Sequence, residues 1–386
     1  MITLRPGSHA QNLLTLLSIT GEFPVRSLHL LGNERVIKAL VHKLVSPQTI
    51  RLYQTDMEWN CQLLKINGRG VSKSLRLMKG ALPILTRICP EGHAYYLSAY
   101  NNHRFPGDAA HRDRNFRVGE VVATCMSAGI ECRPYLLPVL QKEQLMDILP
   151  SDPVFYLARD IKKIGPGQTE MNKTMYSRMT GALFAKDNAF AVYNTRSGAM
   201  KWSGMGEFKT KHDLIELARM NADIRDVDSA ILFGESETVA LKTLLESTKN
   251  RRSEFRFDGV FGNVYYVPLN SQGIRRLRML TIPGWKQQLL DLLFDPETQS
   301  DGHGHMEFDA YVDKKYIYSH LDGNLARLIR FGEALQTETG SFEIICFPDQ
   351  VHLLREYLGP RVTLKTIDID LVECELGLDA RRSLFG

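Results

Sequence analysis

Three stretches of this 386-residue chain hold residue types that could do chemistry. Glu207-Phe208-Lys209 follows a hairpin-like run, Phe190–Trp202. A glutamate and a lysine at a strand end, with an aspartate from the strand before, suit metal-assisted phosphodiester hydrolysis. Two carboxylates hold a divalent cation and the lysine assists the attacking water. The nearest upstream acid is Asp187, in the turn-like Ala185-Lys186-Asp187-Asn188, and where a strand aspartate is wanted the chain has Thr180-Gly181-Ala182. The second stretch is Asp301–Asp309. Strand alternation would set His303, His305, Glu307 and Asp309 on one face, a ligand set for a metal. The bland alternative is a polar loop entering a strand. The third, Asp228–Ser236, reads as a strand running into a helix whose first amides could cradle phosphate. Neither G-x-G-x-x-G nor G-x-x-x-x-G-K-[ST] accompanies it. The chain also lacks G-x-S-x-G, H-E-x-x-H and a kinase-like H-R-D set, so acyl transfer, metalloproteolysis and kinase activity have no positive signal.

The stronger signal is where the charge lies. Residues 1–90 carry twelve Lys and Arg against four acids, while the rest of the chain is net −4. A basic head on a mildly acidic body is the distribution of a polyanion binder. Lys249-Asn250-Arg251-Arg252, and Arg275-Arg276 with Arg278, are small basic clusters further on. They are either solvated or extend a DNA footprint.

The head's elements decide which polyanion. Ala10–Ile19 predicts a short amphipathic helix ended by Gly21. Pro24 opens a second, Val25–Leu31. Asn33 caps a third that runs to Leu44, with Val36, Ile37, Leu40, Val41 and Leu44 as its apolar face. Arg35, Lys38, His42 and Lys43 lie off that face. Two short helices joined by a tight turn, the second presenting cations, is a helix-turn-helix, whose second helix reads base edges in the major groove. Strands follow at Thr49–Tyr53, Cys61–Ile66 and Ser74–Leu77. Asn67-Gly68 signals a hairpin between the last two, with Arg69 and Lys73 at or beside its tip. Such a wing meets phosphate or the minor groove. Met78–Ile88 reads as a closing helix.

Beyond the head, His93–Tyr100 and His111–Ala128 read as helices separated by a turn-rich break at 101–108, with a strand at Ile130–Leu137. The charged turn His111–Arg117 is a second phosphate contact or a solvated face. From about residue 150 strands alternate with helices, an α/β body. Six cysteines, Cys61, Cys89, Cys125, Cys132, Cys346 and Cys374, form no C-x-x-C pair and read as reduced core thiols. With no apolar run of about 18 residues and no apolar start, neither a membrane span nor a secretory signal is expected, and a cytoplasmic location is.

The winged-helix order, the stretch Ser74–Leu85, and His111-x-x-x-Asn115 opening a helix that ends at Gly129 together resemble the replication-relaxation family. These are winged-helix proteins of plasmids and integrative elements of Gram-positive bacteria. The resemblance covers roughly residues 5–140. It implies a DNA-binding role in replication, conjugative transfer or transcriptional control. It also implies that a domain resembling PD-(D/E)XK nucleases may follow the winged helix, usually without demonstrated activity.

The expectation is therefore an α+β chain in four segments: a winged helix-turn-helix at 1–90, a connector at 91–150, an α/β domain at 151–295 and a C-terminal α/β subdomain at 296–386. The α/β body as a whole is read as a degenerate restriction-endonuclease-like fold. DNA contacts are assigned to Arg35, Lys38, His42, Lys43, Arg69 and Lys73. The rival reading is a nuclease using Glu207, Lys209 and Asp187, and a third is a docking module. Duplex DNA is the expected partner, with a second copy, a relaxase or a replication initiator as candidate protein partners. No cofactor is expected.

Overall fold

The computed structural model describes residues 1–100, 108–132, 153–161, 178–200, 205–222, 224, 226–249, 256–300, 302 and 306–378. The chain is a mixed α+β protein with several small sheets. It divides into two compact units. One holds the described residues of Met1–Lys142 with Phe155–Ile161, the other those of Glu143–Val154 and Lys162–Arg381.

The first unit begins with β1 (Ile2–Leu4), α1 (His9–Thr20), β2 (Glu22–Pro24) and a 3-10 helix, Val25–Leu31. Gly21 ends α1 at φ 73°, where its amide reaches back to the Leu17 carbonyl. α2 (Glu34–Leu44) starts at Asn33, whose side chain accepts hydrogen bonds from the amides of Arg35 and Val36. That cap satisfies two otherwise orphaned donors. Next come β3 (Gln48–Leu52), β4 (Glu58–Cys61), β5 (Leu64–Asn67) and β6 (Ser74–Leu77). Two three-stranded sheets result, in the orders β1-β3-β4 and β2-β6-β5. The second is antiparallel throughout, Glu22 facing Arg76 and Leu64 facing Leu77. In the first, β1 runs parallel to β3, a pairing between residues nearly fifty apart. The expected strand Cys61–Ile66 is thus two strands serving different sheets.

α3 (Leu82–Ile88), α4 (Pro90–Ala99) and α5 (Ala109–Ser127) complete the layer behind these sheets. α5 lies along β2 and the 3-10 helix. Its Glu120, 2% exposed, accepts from the Ser27 hydroxyl at 2.7 Å, and its Ser127 hydroxyl donates to the Leu30 carbonyl at 2.6 Å. The segment expected as a connector therefore packs into the same unit as the head. β7 (Glu131–Cys132) and β8 (Val154–Leu157) are sheet neighbours, and a single helical turn, Ala158–Ile161, follows β8. Arg159 in that turn donates to Tyr95 Oη and to the Ile19 carbonyl, both at 2.6 Å, and lies over the Tyr95 and Tyr100 rings. Burial pushes the Tyr100 phenol up to about 12.

The second unit contains two open sheets. β9 (Met179–Phe184) and β10 (Ala189–Arg196) form an antiparallel hairpin. After α6 (Met205–Ala222), β11 (Ser229–Gly234) runs parallel to β10; after α7 (Glu237–Thr248), β12 (Asn263–Pro268) runs parallel to β11. Every residue of β11 is buried, as expected of a parallel strand covered on both faces. Then come α8 (Ser271–Leu280) and α9 (Trp285–Leu293). The other sheet has the order β13 (Ala310–Val312), β14 (Lys315–Ser319), β15 (Ser341–Cys346), β16 (Val362–Thr366). Its last three strands are parallel, linked by α10 (Leu325–Ala334) and α11 (Val351–Leu358), and α12 (Ile369–Glu375) follows.

Asn324 joins the two sheets of this unit. Its Oδ1 accepts from the Val264 amide of β12 at 3.1 Å and from the Arg327 amide at 3.2 Å, so one side chain caps α10 and meets the outer edge of β12. The Tyr266 amide donates to the Gly323 carbonyl beside it, at 2.9 Å.

Candidate nucleic-acid interface

α2 turns a narrow apolar stripe inward. Ile37, Val41 and Leu44 are buried. Val36 is 49% exposed and Leu40 only half-buried, so the apolar face expected from the sequence is narrower than five residues. The outward arc carries Arg35, Lys38, Ala39, His42 and Lys43, all exposed. All four residues assigned to DNA contact on this helix therefore share one solvent-facing surface. Glu34 lies at its edge and pairs with Lys38 at 2.6 Å. The Lys38 ammonium holds the Glu34 carboxyl below its ordinary value by hydrogen bond and charge. The pair is solvent-exposed, the kind of bridge that exchanges readily for another anion.

The hairpin β5–β6 supplies the second element. Its tip spans Gly68–Lys73, with Arg69 and Lys73 exposed. Gly68 has φ 81°, and a Cβ there would come within 2.5 Å of the Ser72 carbonyl oxygen. The turn thus requires glycine. The base of the tip is tied down, since the Val25 amide donates to the Lys73 carbonyl at 2.9 Å. β6 is held to β2 by an internal ion pair. Glu22, fully buried, accepts from Ser74 Oγ at 3.0 Å and Arg76 Nε at 2.8 Å. Arg76 is therefore a structural cation inside the head's basic surplus, whereas Arg51 is exposed and faces the exposed Asp56 at 3.7 Å.

The nuclease residues are not assembled. Glu207 and Lys209 sit in the first turns of α6 rather than at a strand end. Two residues apart on a helix point to opposite sides. Glu207 is 3% exposed, with Arg178 at 3.8 Å, while Lys209 faces solvent. Asp187 lies in the exposed β9–β10 turn, where it accepts from the Gly284 amide at 2.8 Å.

The metal candidates fare similarly. His303 and His305 lie outside the described residues. Glu307 accepts from Arg330 Nε at 2.6 Å, and Asp309 takes a two-pronged contact from Arg327 at 3.1 and 2.7 Å. Both carboxylates are thus engaged by arginines of α10. Burial is the largest influence on Glu307 and opposes ionisation, but the Arg330 and Arg327 charges outweigh it and hold the carboxyl below its ordinary value. Among the described residues no group of three or more His, Cys, Asp or Glu side chains could hold a metal ion. In the β11–α7 turn Gly234 sits under the Tyr266 ring, and Ser236 caps α7 without a side-chain hydrogen bond.

The basic cluster at 275–278 points inward. Arg275 pairs with Asp370 and Glu373, and Arg276, 1% exposed, with Glu237 at 3.0 Å and Asp349 at 2.7 Å. Arg278 is mostly buried, 4.0 Å from Glu373. The other cluster falls largely at 250–252, outside the described residues.

Sequence reasoning missed Val36 as a surface residue and Glu22 as a buried one. The signal for Glu22 was available, since it stands between Gly21 and the apolar pair Phe23-Pro24. Among the described residues no helix is long and apolar enough to cross a membrane. Compared with protein-family models, curated proteins and solved structures, the chain matches none.

Proposed function

We propose that the first unit is a winged helix-turn-helix that binds duplex DNA, with α2 as the recognition helix and the β5–β6 hairpin as the wing. The observation that carries this reading is the outward arc of α2, where Arg35, Lys38, His42 and Lys43 stand together with Glu34 as the single acid of the helix. Support also comes from the order α1, β2, 3-10 helix, α2, β5, β6 with strand order β2-β6-β5. This presents a helix and a cationic hairpin from one small scaffold. Action for a plasmid or integrative element, in replication, conjugative transfer or transcriptional control, belongs to the same proposal and rests on the resemblance of residues 5–140. A degenerate nuclease-like scaffold in the second unit follows from the same resemblance, and docking of a relaxase or replication initiator by that unit is the separate, alternative reading.

The test is fluorescence anisotropy of the full chain on labelled duplex across a salt series. The logarithm of affinity is expected to fall linearly with the logarithm of salt concentration. Replacing Arg69 and Lys73 together by alanine lowers the slope by about two, roughly one per lost phosphate contact. Arg35→Ala with Lys38→Ala weakens binding at least tenfold, taking about 1 kcal/mol or more per contact. Salt-independent binding, or full affinity in both double variants, overturns the reading.

A further inference from the structure

The outward arc of α2 contains an apolar strip beside its cations. Val36 is 49% exposed, and Ala39, three residues on, is exposed as well. Positions three and four apart lie side by side on a helix, so Val36, Ala39 and the half-buried Leu40 make one continuous line. The core takes only Ile37, Val41 and Leu44 from this helix. A β-branched residue is also among the poorer choices for a solvated helical position, because its side-chain rotamers are restricted there. The strip is bounded by cations. Arg35, Val36, Ala39, Leu40 and Lys43 form one wall of an open groove of about 520 Å³, whose other wall is β1 and the first turn of α1.

The partner for such a surface must be strongly anionic yet carry small apolar spots. The major groove has this chemistry. Phosphates line its rims, the base edges are polar, and the thymine 5-methyl group is its apolar feature. Val36 and Ala39 are the third and sixth residues of α2, in the N-terminal half that reaches base edges when a recognition helix enters the groove. We infer that Val36 and Ala39 read thymine 5-methyl groups and set a preference for thymine at one or two positions of the bound site. Arg35 and Lys43 beside them orient the helix on the duplex. This rests on the DNA-binding reading above.

The experiment uses the full chain. Duplexes retained from a random pool give the preferred site, and each thymine in it is then replaced singly by deoxyuridine, which removes the methyl and leaves every hydrogen-bonding group in place. Loss of about fourfold in affinity is expected at one or two positions, the worth of one buried methyl. Val36→Ser, which removes both side-chain methyl groups, should bind thymine and uracil equally at one of them while keeping its salt slope. Salt-dependent binding that is indifferent to deoxyuridine at every position overturns this inference and leaves the DNA-binding reading standing. So does full thymine preference in Val36→Ser with Ala39→Ser. Failure to retain any duplex from the pool overturns both.

Discussion

Arginine has opposite uses in the two units. In the first, Arg35 and Arg69 stand exposed on a helix face and a hairpin tip. In the second, Arg256, Arg275, Arg276, Arg327 and Arg330 each join a carboxylate on another element or segment: Glu333, Glu373, Asp349, Asp309 and Glu307. The first unit holds its cations outward, where a bound polyanion can displace water and counterions. The second closes its arginines on acids of its own, where they specify how helices sit against strands. The density of basic residues therefore predicts little by itself. What separates the two uses is whether an acid lies within reach in the fold. The first unit has inward arginines too: Arg76 pairs with the buried Glu22, and Arg159 lies over the Tyr95 and Tyr100 rings.

The comparison is broken or sharpened most severely at Arg327. It is 6% exposed and forms a two-pronged contact with the buried Asp309. Arg327→Ala is expected to cost about 3–5 kcal/mol, because it leaves a carboxylate buried without its counter-charge. Denaturant unfolding should show that loss while duplex binding by the folded protein is unchanged. A loss below about 1 kcal/mol would mean that the inward arginines are no more structural than the outward ones.

A second effect is expected in acid. His320, 1% exposed, follows β14, and burial, then the charges of Arg276 and Arg327, push its imidazole down to about 3. In the unfolded chain the same group takes up a proton near 6.5. The stability it confers is complete above that value and drains away as pH falls toward 3. Asp322 works in the other direction. Burial raises it to about 6, so its contribution is complete below about 4 and is lost as pH rises through 6. Comparing His320→Gln with the parent isolates the histidine. Between pH 7 and pH 4 the variant should lose less stability than the parent, by on the order of 3 kcal/mol. Parallel pH profiles would remove His320 from the inward charge network.

The smallest expected effect lies on the outer face. Arg35→Ala with Lys38→Ala should leave stability within about 0.5 kcal/mol of the parent, since exposed charges away from special contacts contribute little. Thermal unfolding checks this, and a larger shift would place these side chains among the structural cations.

Local signals made the candidate interface legible in the sequence. Asn33 announces α2, the heptad-like spacing of Ile37, Val41 and Leu44 fixes its inner face, and Asn67-Gly68 marks the β5–β6 hairpin. Pairings across long separations were not legible. β1 with β3 joins residues 2–4 to 50–52, and Arg327 with Asp309 depends on how α10 crosses a sheet. The hairpin β13–β14 escaped because its turn is Asp313-Lys314, both at positive φ, rather than a glycine-bearing pair. Val36 was misassigned for a different reason. Helical spacing places it at the margin of the apolar arc, and only the width of the neighbouring layer decides whether a marginal residue is covered.

Asn324 has a consequence for how this protein could fail. β12 ends its sheet in the second unit, and a bare terminal strand is a template on which another chain can add itself. The turn His320–Asn324 occupies that edge through two backbone amides, those of Val264 and Tyr266. Its guard is therefore lent by a neighbouring sheet rather than built into β12. A brief lifting of that turn would uncover a sticky rim while the rest of the unit stays folded. Self-association of this chain would then follow the frequency of one small local opening and not the stability of the whole.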